Sequence, residues 1–95
     1  MAVKILDFHA EWCGPCDVQE PILEDVEEHW EDNEDVSLEM VDIDEEQNTA
    51  QMHQVRSIPT VIVGVEDDGE FSESERFVGV TEEDKINEAI EEALN

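Results

Sequence analysis

A chain of 95 residues can close one modest hydrophobic core but not two, so residues 1–95 are expected to form a single domain. Acidic residues number 29 against 4 lysines and arginines, a formal net charge of −25. That balance excludes nucleic acid as a partner, because phosphate neutralisation needs clustered cations, and it argues against anionic membrane surfaces. Leu, Ile, Val and Phe still make up about a quarter of the chain, more than a disordered acidic chain carries, so a folded state is expected.

Val3 to Phe8 is a short apolar run with β-branched residues and reads as a buried strand. Trp12-Cys13-Gly14-Pro15-Cys16 follows as a loop. From Pro15 to about Trp30, Val18, Ile22, Val26 and Trp30 recur four apart with Leu23 beside them, which predicts one face of an amphipathic helix. Pro15 suits the first helical position, where its missing N–H would have had no partner. Residues 31–35 read as a turn, and Val36 to Ile43 as a second strand. Asp44 is the expected cap of a short helix, with Gln47 completing a capping-box pattern and Ala50, Met52 and Val55 on its apolar side.

Pro59 to Val65 predicts a third, very apolar strand. Asp67-Asp68-Gly69-Glu70 is a strong turn signal, so a hairpin leads into a fourth strand from Phe71 to Val78. Thr81 is the expected cap of a last helix whose buried stripe is Ile86, Ala89, Ile90, Ala93 and Leu94. The order β-α-β-α-β-β-α predicts an α/β fold with a four-stranded mixed sheet and helices on both faces. Strands one to three are expected to pair in parallel through right-handed crossovers, with the hairpin adding an antiparallel strand.

The first residues offer one basic residue and an apolar run too short for a signal sequence, and no stretch approaches transmembrane length. A cytoplasmic location is therefore expected. The acidic bias runs through every segment, which predicts adaptation to a saline interior, where screening removes most self-repulsion. The same charge predicts a monomer at low salt.

Both cysteines lie two residues apart where the first helix starts. In a reducing compartment such a pair is more often catalytic or metal-binding than a structural staple. A redox dithiol, a structural disulfide and half a zinc site all use this spacing. The zinc site needs two further ligands, for which His9, His29, His53 and carboxylates remain. A helix N-terminus favours the thiolate, because its free N–H groups and dipole present partial positive charge. Asp7 is an acid within an apolar strand among Ile5, Leu6 and Phe8, a costly place unless it is paired or functional.

Asp7-Phe8, Ala10-Glu11-Trp12-Cys13-Gly14-Pro15-Cys16, Val41-Asp42-Ile43-Asp44, Val55-Arg56-Ser57-Ile58-Pro59-Thr60 and Phe77-Val78-Gly79 follow one another over almost the whole chain. On these residues the chain resembles the thioredoxin family, in a trimmed form that starts at the strand before the cysteines. It departs from the family at His9, where a Trp is common, and at Met40, where a Lys is common. The resemblance implies a thioredoxin-like fold and a thiol–disulfide oxidoreductase that reduces protein disulfides. Cys13 is then the attacking thiol, with open access. Cys16, about one turn into the helix, is the more buried, resolving thiol, and Asp7 is the general base for its proton. Ile58-Pro59 is implied to be a cis peptide facing the cysteines, with the Ile58 backbone free to pair with substrate. Trp12, Gly14, Pro15 and Gly79 are implied to complete the substrate surface. No bound cofactor and no metal are implied beyond the redox-active disulfide. The implied partners are a thioredoxin-reductase-type flavoprotein and protein disulfides. A glutaredoxin-like donor using a low-molecular-weight thiol, and a module that binds a metal or a partner without catalysis, are the alternatives.

Overall fold

The computed structural model describes all 95 residues. The elements are β1 (Ala2–His9), α1 (Gly14–His29), β2 (Val36–Asp42), α2 (Gln47–Met52), β3 (Thr60–Asp67), β4 (Glu70–Val78) and α3 (Glu83–Leu94). The four strands form one mixed sheet in the order β2-β1-β3-β4.

Successive side chains of β1 point to opposite faces, and the two faces bury two different clusters. Val3 and Ile5 pack with Leu23 and Val26 of α1, Val61 and Val63 of β3, and Ile86, Ala89 and Ile90 of α3. Leu6 and Phe8 pack on the other side with Val41, Ala50 of α2 and Ile62. Helices thus cover both faces, α1 and α3 on one and α2 on the other. By parity Asp7 lies on the α1 face with Val3 and Ile5. Each fully buried Ile, Val or Phe of these clusters contributes about 1.5–3 kcal/mol. Lys4 ties three strands from outside, with its ammonium 2.9 Å from Glu39 on β2 and 3.6 Å from Glu66 on β3.

The direction of β3 differs from the expectation. β1 and β2 are parallel, but β3 runs antiparallel to β1, with Thr60 opposite Phe8 and Glu66 opposite Ala2. The connection, residues 43–59 with α2 in the middle, does not recross the sheet: Asp42 ends beside His9 and Thr60 starts beside Phe8, so β3 sets out from the end where β2 finishes.

The buried stripe of α1 also differs. It consists of Cys16, Gln19, Leu23 and Val26, spaced three, four and three apart, while Val18 is 57 % exposed. Val18 lies about 100° around the helix from Gln19, outside the packed sector. Ile22 and Trp30 flank the stripe half-buried, and the Trp30 indole nitrogen donates to Asn87 Oδ1 of α3 at 2.9 Å. On α2, Ala50 is buried but Met52 is 80 % exposed, since residues two apart on a helix cannot share a face.

Neither predicted helix cap forms. Glu46 precedes α2 and Glu82 precedes α3, and neither bonds through its side chain. The Asp44 carboxylate accepts instead from the Trp12 indole, and Thr81 is held by Gln19. The hairpin forms as expected. Asp67 pairs with Glu70, so Asp68-Gly69 is a two-residue loop, and both residues have the positive φ that a type I′ turn requires.

Candidate redox site

The site is built where β1 leaves the sheet and α1 begins. Cys13 has extended dihedrals (φ −94°, ψ 104°) and is the N-cap of α1. Its backbone N–H donates to Ala10 O at 3.2 Å, and its Sγ accepts from the Cys16 backbone N–H at 3.2 Å. Helix geometry then brings Cys16 back over Cys13, with Cα atoms 5.3 Å apart, and the two sulfurs form a disulfide. In the reduced state the same N–H and the helix dipole point at the Cys13 sulfur and favour its thiolate. Pro15 is the second helical residue, Gly14 the first.

The two cysteines do not differ in burial as expected, being 5 % exposed at Cys13 and 6 % at Cys16. In the disulfide each sulfur covers the other, and Ala10, Ile43 and Ile58 close around the pair. No group of three or more His, Cys, Asp or Glu side chains is arranged to hold a metal ion.

Three segments distant in sequence meet here. The Ile58-Pro59 peptide is cis, Pro59 is buried, and Ile58 packs half-buried on the cysteine cluster. Gly79 joins them, its N–H donating to Pro59 O at 2.8 Å. Gly79 has φ +90°, a conformation that disfavours side chains, and the space its Cβ would take is open. Trp12 stands 68 % exposed beside the disulfide, with its indole nitrogen 2.8 Å from Asp44 Oδ2. A shallow depression of about 360 Å³ opens beside it, bordered by Glu11, Asp42, Asp44 and Glu45. A larger groove, about 650 Å³, lies elsewhere, between α1 and β2, and takes in no cysteine.

Asp7 is 2 % exposed, and its Oδ1 has no hydrogen-bond partner. Burial pushes its carboxyl up to about 6; positive charge on His9 pulls it down, and Glu20 of α1 adds to the rise. A group titrating near 6 can hold or accept a proton at neutral pH.

Matches across the whole molecule agree with this geometry. The thioredoxin family model matches residues 2–92. The chain belongs to the thioredoxin family. It is 39 % identical to thioredoxin of Bacillus subtilis over 93 residues, covering 98 % of this chain and 80 % of that one. Against thioredoxin of Staphylococcus epidermidis it is 36 % identical, covering 97 % and 83 %. Among solved structures, thioredoxin of Trichomonas vaginalis superposes with a TM-score of 0.78 at 33 % identity, over 95 % of this chain and 78 % of that one. A mutant thioredoxin from Halobacterium salinarum NRC-1 gives 0.79 at 35 % identity, over 98 % and 75 %. This thioredoxin-family chain is a thiol–disulfide oxidoreductase, and its dithiol is the Cys13–Cys16 pair.

Two groups of residues at the site escaped the sequence reading. Asp44, expected to cap a helix, is the partner of Trp12. Gln19 and Thr81 bond across 62 positions, through Thr81 N–H to Gln19 Oε1 at 2.7 Å and Gln19 Nε2 to Thr81 O at 3.0 Å. The available signal for Gln19 was its place three residues after Cys16 and four before Leu23, on the inward stripe of α1. Arg76 is a third fastening. Its guanidinium holds Glu73 through two bonds and also donates to the carbonyls of His53 and Gln54, which fixes the start of the loop to Pro59 onto β4.

Proposed function

We propose that this chain is a protein-disulfide reductase in which Cys13 attacks, Cys16 resolves and Asp7 moves the proton. The Cys13 thiolate attacks one sulfur of a substrate disulfide. A mixed disulfide forms, and the substrate's other sulfur leaves as a thiolate that takes a proton from water. The Asp7 carboxylate takes the Cys16 proton, and the Cys16 thiolate attacks Cys13 Sγ. The mixed disulfide breaks, the second substrate sulfur leaves and takes the proton held by Asp7, directly or through water, and the Cys13–Cys16 disulfide closes. Two electrons pass to the substrate with two protons, one from water and one from Cys16 by way of Asp7. The disulfide itself is the redox group, so the reaction needs no bound cofactor or metal.

Trp12, Gly14, Pro15, Ile58, Pro59 and Gly79 form the docking surface in this reading. An extended substrate segment pairs with the Ile58 backbone and passes over Gly79. The observation that carries the proposal is the packing of Ile58, next to Pro59, on the Ala10, Cys13 and Cys16 cluster at the head of α1. Electrons come from a thioredoxin-reductase-type flavoprotein, and the chain works as a cytoplasmic monomeric domain in a saline interior. The acidic surface supports the last point, as does the similarity to a thioredoxin of Halobacterium salinarum.

The test is the pair Cys13→Ser and Cys16→Ser, assayed for insulin reduction and for trapped adducts. Both variants lose turnover, and Cys16→Ser alone accumulates a mixed disulfide. Full activity without Cys13 would refute the assignment.

A further inference from the structure

Gln19 is fully buried on α1, one turn beyond Cys16, at a position where Cys16, Leu23 and Val26 are its stripe-mates. An amide in such a place costs free energy unless both its ends are bonded. Here both are, and to one residue. Gln19 Oε1 accepts the backbone N–H of Thr81, and Gln19 Nε2 donates to the backbone carbonyl of Thr81. The side chain thus binds the main chain of Thr81 as a strand neighbour would.

The contact continues toward the cysteines. Thr81 Oγ1 donates to Gly79 O at 3.1 Å, and Gly79 N–H donates to Pro59 O at 2.8 Å. An unbroken set of bonds therefore runs from the helix that carries Cys16, through Gln19, Thr81 and Gly79, to Pro59. Gly79 and Pro59 have no direct bond to α1. Without Gln19 the helix and the loop would be held to each other by apolar packing, which resists separation but not sliding.

We propose that Gln19 is a positioning residue for the reaction with protein disulfides. It sets the register of the Gly79–Thr81 loop, and through Gly79 that of the Pro59 turn, relative to the dithiol helix. The inference rests on the reading of Ile58, Pro59 and Gly79 as the substrate ledge. A misplacement of an ångström between ledge and dithiol weakens the docking of an extended chain. A small disulfide, which makes no use of the ledge, still reaches Cys13.

The test uses chemically reduced protein in single-turnover stopped flow with three probes. One is the homodimeric disulfide of an alanine–valine pentapeptide with a central cysteine. The second is the same peptide N-methylated at the residues flanking the cysteine, which removes its main-chain donors. The third is 2,2′-dithiodipyridine, small and uncharged. Gln19→Met keeps the volume and removes both bonds. The expected result is a rise of roughly tenfold in half-saturation for the peptide, with its limiting rate and the dithiodipyridine rate within about twofold of the parent. The preference for the unmethylated peptide shrinks in the variant.

Thr81→Val removes only the hydroxyl bond to Gly79 and is expected to raise half-saturation by roughly threefold. It carries the test if Gln19→Met does not fold. Unchanged peptide kinetics in the variants, or an equal loss with the peptide and with dithiodipyridine, would overturn the role of Gln19. Equal use of both peptides by the parent protein would instead remove the ledge, and this inference with it.

Discussion

The indole nitrogen of Trp12 donates to the carboxylate of Asp44 across 32 positions of sequence, at 2.8 Å and in the open. The bond links the residue before Cys13 to the turn after β2.

Replacing Asp44 by Ala should therefore free the Trp12 ring more than it weakens the fold. An exposed hydrogen bond of this kind contributes roughly 1 kcal/mol or less. The expected outcome is an almost unchanged urea midpoint, a faster-decaying Trp12 fluorescence anisotropy, and a twofold to threefold loss with protein disulfides, taking roughly 0.5 kcal/mol for the lost orientation. A large stability loss would show that Asp44 supports the fold instead.

Asp7 gives a pH dependence whose sign follows from its burial. Its carboxyl titrates near 6 in the folded protein against 3.8 for the free group, so the folded state binds the proton more tightly. The favourable contribution is complete below about pH 4 and is lost as pH rises through about 6. A shift of about two units corresponds to about 3 kcal/mol at neutral pH. Asp7→Asn removes this dependence. The variant should be the more stable protein at pH 7 by up to that amount, and the difference should vanish near pH 4, measured by chemical denaturation of the oxidised forms. In the reduced form the same variant should close the Cys16 step slowly. Equal stability of parent and variant from pH 4 to 8 would mean that Asp7 is not strained by burial.

Most of the chemistry was legible because it is local. Cys13, Gly14, Pro15 and Cys16 are contiguous, Ile58-Pro59 is a dipeptide, and the Asp68-Gly69 turn announces itself by residue type. Relations between distant segments were not legible. The direction of β3 depends on the path that residues 43–59 take relative to the sheet, which no local pattern states. The Val18 error has a related cause. Apolar residues four apart suggested one stripe, but the true stripe runs through Cys16 and Gln19, and a polar residue with its partner 62 positions away carries no apolar signal. Asp44 and Thr81 matched the composition of caps, yet the Asp44 carboxylate meets the Trp12 indole, the Thr81 hydroxyl meets the Gly79 carbonyl, and the helices start later, after Glu46 and Glu82.

Gly64 offers a test of packing remote from the dithiol. It lies at the register shift between β3 and β4, and a Cβ there would overlap the Phe71 ring and come within 2.6 Å of the Ser72 carbonyl oxygen. The obstruction includes backbone, which yields less readily than the end of a side chain. Gly64→Ala should cost about 1–3 kcal/mol. Phe71 also meets His53 edge to face, and His53 meets Phe8, so displacement of Phe71 should register as a shift of the His53 ring resonances. An unchanged melting temperature would show that β4 gives way freely at the bulge.

The charge of −25 makes the response to salt the most direct test of the saline reading. Only three ion pairs occur, two at Lys4 and one at Arg76, and salt weakens these. The repulsion among 29 acidic side chains is far larger in number, and salt weakens that as well. The Debye length falls from about 30 Å at 0.01 M to about 3 Å at 1 M, so repulsion dominates the net change. The melting temperature should rise by roughly 10 °C over that range in potassium chloride, equivalent to about 2 kcal/mol for a domain of this size. General salting-out could produce a rise too, so a charge variant separates the two causes. Glu24, Glu27, Glu28 and Glu31 are exposed along the end of α1 and the turn after it. Changing all four to Gln removes like charge without touching the core. If repulsion is the cause, the variant melts higher than the parent at low salt and gains less on salt addition. If exclusion of salt from the surface is the cause, both proteins rise in parallel, and the saline reading loses the support of the acidic surface.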